Sequence, residues 1–174
     1  MTTLVLTFMG EDRPGLVDSL SGVVARHGGN WERSSMAHLG SKFAGVLEVS
    51  VAEGGVDALG AGLQALGAEA GLSITVDRAT PELESRYRRL HLDIVGQDRP
   101  GIVHDISHAL AERGISIERL DTETISASMS GGTLFQAEAV LRAPDTLAMD
   151  DLVTALETLA NELMVDVDVE EDET

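Results

Sequence analysis

Gly10-Glu-Asp-Arg-Pro-Gly-Leu-Val17 recurs, with two substitutions, 86 positions later as Gly96-Gln-Asp-Arg-Pro-Gly-Ile-Val103. Each copy follows a short apolar stretch, Leu4–Met9 in one case and Leu90, Leu92 and Ile94 in the other. Each also opens a segment whose apolar residues fall at helical spacing. A strand–turn–helix corner of this kind leaves backbone N–H groups unpaired at the start of the helix. Alignment on the stretch brings the apolar positions beyond it into coincidence: Leu16 with Ile102, Val17 with Val103, Leu20 with Ile106, Val24 with Leu110. The repeat is therefore structural as well as lexical.

Outward from the first copy, Leu16, Val17, Leu20, Val23 and Val24 form the stripe of a helix that Gly28-Gly29 ends. Pro14 suits its first position, where a missing N–H costs nothing. Residues 30–38 and Phe43–Val51 read as strands joined at Gly40-Ser41. Leu59, Leu63 and Leu66 mark a second helix, which Gly60, Gly62 and Gly67 weaken by about 1 kcal/mol each. Leu72–Asp77 is a fourth strand. The second copy repeats the order: strands at 115–125 and 133–142 joined through Ser128–Gly132, a helix from Leu147 to Leu159 capped by Asp145 or Thr146, and a strand at Met164–Val169. The pattern β-α-β-β-α-β, twice, predicts an α+β chain of two ferredoxin-like domains, each an antiparallel sheet with helices on one face. The expected domains are 1–79 and 88–174, joined by a polar linker at 80–87, with a frayed acidic tail at Glu170–Thr174.

Composition narrows the functions. The formal charge is −18, with 43% hydrophobic and 3% aromatic residues. Acid dominates the second half: residues 88–174 hold 19 acidic and 6 basic side chains, against 11 and 6 in residues 1–87. Direct binding to nucleic acid wants a positive field, so none is expected. There are no cysteines, which removes disulfides, thiolate metal sites and cysteine nucleophiles. No stretch approaches a membrane span, and the first apolar run is too short for a signal peptide core; a cytoplasmic protein with no membrane contact is expected.

The doubled Gly-x-Asp-Arg-Pro-Gly-[Leu/Ile]-Val turn in a β-α-β-β-α-β unit resembles the ACT domain. Two in tandem with little else is similar to the glycine cleavage system transcriptional repressor group of ACT proteins. The resemblance implies a regulatory protein without catalytic activity, which senses a small amino acid such as glycine. It implies further that a separate DNA-binding activator is the protein partner. A homodimer is also expected, since two sheets side by side give a continuous eight-stranded surface that edge pairing can extend. The ligand-binding residues implied are Gly10, Asp12, Arg13, Pro14, Gly15 and Leu16, and in the second copy Gly96, Asp98, Arg99, Pro100, Gly101 and Ile102. Members of the family often carry Asn at the start of the second strand, facing the same pocket. Asn30 stands there in the first copy and Ser116 in the second, which favours the first turn as the binding corner. No cofactor, metal or catalytic residue is expected.

The same residues also fit ordinary folding roles. Pro before a helix, Gly in a turn and Asp near free N–H groups are common devices, and Arg13 and Arg99 fit surface ion pairs. A ligand-independent dimerisation or interaction module is thus the alternative function. An ACT-linked enzyme such as a formyltetrahydrofolate deformylase is not expected, for want of a catalytic domain after the ACT unit. His104 and His108 have the helical spacing of a zinc protease pair. Their counterparts Asp18 and Gly22 do not, no third ligand is evident, and solvated histidines are the better account. Trp31, opposite Ile117 in the alignment, reads as a packing residue. The methionines, Met149 and Met164 included, read as core filler.

Overall fold

The computed structural model describes residues 1–80, 87–126 and 132–171. It forms two compact units, Met1–Glu82 and Leu83–Thr174. Most of the expected linker, the Ser128–Gly131 part of the expected loop and the last three residues of the tail lie outside the described residues.

The first unit runs β1 (Thr2–Glu11), α1 (Leu16–Arg26), β2 (Asn30–Leu39), β3 (Lys42–Val51), α2 (Val56–Ala70) and β4 (Ser73–Arg78). A single 3-10 turn, Glu53–Gly55, precedes α2. The second unit runs β5 (Tyr87–Gln97), α3 (Ile102–Ala111), β6 (Ser116–Ser126), β7 (Thr133–Pro144), α4 (Met149–Leu163) and β8 (Val165–Glu171). The sheets are antiparallel at every neighbouring pair and share one order, β2-β3-β1-β4 and β6-β7-β5-β8. This is the expected ferredoxin-like arrangement, made twice.

Alternation along each central strand sends one set of side chains to the helices. Leu4, Leu6 and Phe8 of β1 are buried with Leu47, Val49 and Val51 of β3 and Leu20, Val23 and Val24 of α1. Leu90, Leu92 and Ile94 of β5 play the same part with Ile102, Ile106 and Leu110 of α3 and Leu152 and Leu156 of α4. The glycines do not stop α2 from running 15 residues. Leu59 and Leu63 on it are wholly buried. At about 2 kcal/mol each, that burial outweighs the propensity loss.

The repeats have diverged in a compensated way. Ser34 on β2 stands opposite Leu47 on β3, while the corresponding pair is Leu120 opposite Ala139. Small meets large in both, with the sizes exchanged. Both second strands carry a bulge at the same place, between Trp31 and Arg33 and between Ile117 and Arg119. Trp31 and Ile117 pack against their cores, as expected of packing residues.

Several local expectations are corrected. Pro14 and Pro100 are not helical: α1 and α3 are preceded by Gly15 and Gly101, both left-handed at φ 90° and 91°. Neither helix has a side-chain cap. Val17 and Val103 lie outside the buried stripe, about two-fifths exposed, because the stripe is narrower than their run of neighbours suggested. Helix α4 starts at Met149 with no side-chain cap, because residues after Pro144 form a turn closed by Leu147 N–H on the Pro144 carbonyl. That turn seats Leu147 against the core. Met164 is no core filler: it ends α4 in a left-handed conformation and is 74% exposed. Met149 does pack against the core.

Candidate functional site

Both Asp-Arg-Pro-Gly turns are built by the same bonds. The Asp12 N–H donates to the Ser41 carbonyl at 3.0 Å, and the Asp98 N–H to Thr133 at 2.9 Å. Each turn is thereby tied to the hairpin between the next two strands, and its Asp amide is occupied. The first helical bonds come later, from Ser19 N–H to Gly15 at 2.9 Å and from Asp105 N–H to Gly101 at 3.0 Å. The N–H groups of residues 16–18 and 102–104 therefore precede the helical ladder, at an end carrying roughly half a positive charge. In the second turn Ile102 N–H has a long bond of 3.4 Å to Arg99, which the first turn lacks. Asp18 and Asp105 in the first turns offset part of the helix charge.

The glycines divide by role. Gly10 is buried, and a Cβ there would meet Leu72 Cδ2 at 2.4 Å; at Gly96 it would meet Val165 Cα at 2.7 Å. These two serve the close approach of the strand or turn beside them, which leaves no room for a ligand at that point. Gly15 and Gly101 differ: their left-handed backbone requires glycine, and the space where a Cβ would stand is open. Apart from the adjoining residues, no other atom stands within 4 Å of that point in either turn.

The arginines separate the two turns. Arg99 Nη2 lies 2.6 Å from Asp105 Oδ2, on the helix it precedes. The residue at that place in the first repeat is Ser19. Arg13 is exposed and makes no ion pair or side-chain hydrogen bond among the described residues. Its neighbour Asp12 lies 3.6 Å from His38 Nε2. His38 escaped the sequence reading, although counting the hairpin back from Gly40 brings it opposite Phe43 and hence beside Gly10. Its counterpart in the second unit is Thr124.

Within a unit, Asn30 and Ser116 do not join these turns. Asn30 pairs with Ser50, which pairs with Thr3, whereas the turn follows Gly10. Seven residues of strand separate the two ends, about 23 Å at the usual rise. The cause is topological: α1 carries the chain back along the sheet, so β2 begins beside the start of β1. Ser116, opposite Arg142 and across from Arg89, lies equally far from Gly96.

Asn30 instead donates to Glu32 Oε1 at 3.0 Å, and Ser50 Oγ donates to the same oxygen at 2.5 Å. Those two bonds, Ser50 first, hold the Glu32 carboxyl below the ordinary glutamate range. In the second unit the bulge residue is Glu118, which meets Arg89 at 2.9 Å and Arg142 at 3.7 Å. At the same end of the first sheet, Glu53 is held low by Arg78 and Thr2, and Arg78 is raised by Glu53 in turn.

The second unit also has an open groove of about 950 Å³ between α3 and α4, running from Arg99 past His108 and Glu112 to Glu162. His104 and His108 stack at 5.9 Å on exposed helix surface, and His108 faces Glu112 at 3.6 Å. Among the described residues no three metal-ligating side chains converge.

Comparison with known proteins identifies the fold that carries these turns. Family models described as ACT domain match residues 2–77 and 91–159. The chain is 38% identical over 93 residues to the UPF0237 protein of Methanopyrus kandleri, covering 52% of this chain and 98% of that one. It is 24% identical over 164 residues to the glycine cleavage system transcriptional repressor of Escherichia coli, covering 92% of this chain and 85% of the repressor. The solved structure of an unknown protein from Galdieria sulphuraria superposes with a TM-score of 0.87 at 34% identity, over 99% of both chains. The two turns thus sit in the same place of two matched domains, and the chain belongs to the ACT-domain family, with two ACT domains in tandem.

Proposed function

We propose that the chain is a non-enzymatic regulatory protein that senses a small amino acid, glycine being the leading candidate, through its first turn. The carrying observation is the contrast between Arg13, exposed in the turn before its helix, and Arg99, held by Asp105. A zwitterion needs donors for its carboxylate and an acceptor for its ammonium. Arg13 and the amides of residues 16–18 supply the first, and the Asp12 carboxylate, beside His38, supplies the second. The likeness to a named glycine cleavage repressor supports glycine and a role in transcription. The net charge of −18 argues for action through a separate DNA-binding regulator rather than on DNA itself. The working form is a homodimer, and ligand acts by its different affinity for two arrangements of the domains.

Calorimetric titration of the full chain with a panel of amino acids tests the reading. Saturable binding of glycine or a close relative, lost in Arg13→Ala, is expected. Silence across the whole panel overturns it. The second turn favours the other reading for its own half: with Arg99 already paired, residues 96–102 serve a ligand-independent contact. Binding at one site per chain, not two, is the matching stoichiometry.

A further inference from the structure

The two sheets differ sharply on the face turned away from the helices. In the second sheet Asp121, Glu138, Asp93 and Asp168 stand directly opposite one another, one on each strand, all exposed. The corresponding row of the first sheet is Ser35, Val46, Thr7 and Thr75. The next row toward the turn is Ala37, Ala44, Met9 and Ser73, and the row on the other side is Arg33, Glu48, Val5 and Asp77. Met9 and Val46 are 55% and 43% exposed. Charges on this face nearly balance: Arg33 pairs with Glu48, and Lys42 with Glu11.

We propose that this face of the first sheet seats the same face of a second copy of the chain, a proposal that rests on the homodimer reading and moves its contact from the sheet edges to the sheet face. The face is self-complementary about a two-fold axis parallel to the strands and midway between β1 and β3. The order β2-β3-β1-β4 then lies against β4-β1-β3-β2. Met9 falls on the partner's Ala44, and Val46 on the partner's Thr7. The small Ser35 and Ala37 face the partner's Thr75 and Ser73, which lets the sheets close to about 10 Å. Arg33 faces the partner's Asp77. The same operation on the second sheet sets Asp121 over Asp168 and Glu138 over Asp93, which repels. Two chains of charge −18 repel wherever they meet on acidic surface, so the near-neutral face is where a copy, rather than any acidic patch, is admitted.

Sedimentation equilibrium on the full chain tests this. Wild type is expected to dimerise, and Val46→Asp and Asp77→Arg each to raise the dissociation constant about tenfold or more. Arg33→Asp added to Asp77→Arg is expected to recover most of the loss, while Glu138→Lys on the second sheet leaves dimerisation intact or improves it. Thermal melts establish that each variant is folded, and Asp77→Arg, on an exposed strand, serves if Val46→Asp is not. A wild-type dimer indifferent to both substitutions overturns this face but leaves the homodimer standing. A wild type that stays monomeric overturns both.

Discussion

Arg99 is fastened to Asp105 at 2.6 Å, six residues on, and that carboxylate is the one the first repeat replaces by Ser19. Exchange of this one residue type should exchange the state of the turns. Ser19→Asp is expected to draw Arg13 onto its own helix and weaken amino-acid binding by about tenfold. Asp105→Ser is expected to release Arg99 and add a weak second site. Stability should move by less than about 1 kcal/mol in either variant, since exposed pairs contribute little. Calorimetric affinity and stoichiometry read the outcome.

The turn glycines should rank by what surrounds them. Gly96→Ala drives a methyl against the Val165 backbone and is expected to cost about 3 kcal/mol or more. Gly10→Ala meets first the end of the Leu72 side chain, which can move, and should cost less. Gly15→Ala meets no atom but must hold φ 90°, a strain of about 1–2 kcal/mol. Urea midpoints at constant slope measure all three.

Core substitutions should separate residues that sit side by side in the sequence pattern. Leu63→Ala empties a wholly buried position and is expected to cost about 2–5 kcal/mol. Val17→Ala, on a residue first assigned to the stripe but found two-fifths exposed, should change stability by no more than about 0.5 kcal/mol. A large effect at Val17 would mean that another surface covers it.

Glu32 offers a dependence on pH. Its folded pKa is depressed by Ser50 and Asn30, so the unfolded chain binds its proton more readily. The stability this gives is present above the unfolded glutamate value and disappears as pH falls through the lower folded one. Glu32→Gln should therefore melt below wild type at neutral pH, and the gap should close in acid. Since the carboxylate is fully exposed, the gap is small, and a carbon NMR titration of Glu32 is the sharper measure.

The β-α-β-β-α-β order was legible because two independent signals coincided: apolar period and a doubled turn. Helix starts were not, since Pro14 and Asp145 carry strong capping signals that the chain overrides with left-handed Gly15 and a turn after Pro144. The candidate site was half legible. Gly15 and Arg13 stand in the turn where the motif put them, but linear order could not reveal that Asn30 lies a strand's length away. His38 was missed for the opposite reason, since only hairpin register brings it to Asp12. Nor did the motif separate Gly10 from Gly15, because tight packing and backbone strain both select glycine.

The inverted pairs Ser34–Leu47 and Leu120–Ala139 bear on which pieces the two domains can exchange. Recombination between the halves that exchanged one strand would set Leu120 against Leu47, or Ser34 against Ala139. The first would set two large side chains against each other at the exposed edge strand, and the second two small ones. Exchange of the whole hairpin, or of a whole domain, keeps each small residue opposite a large one.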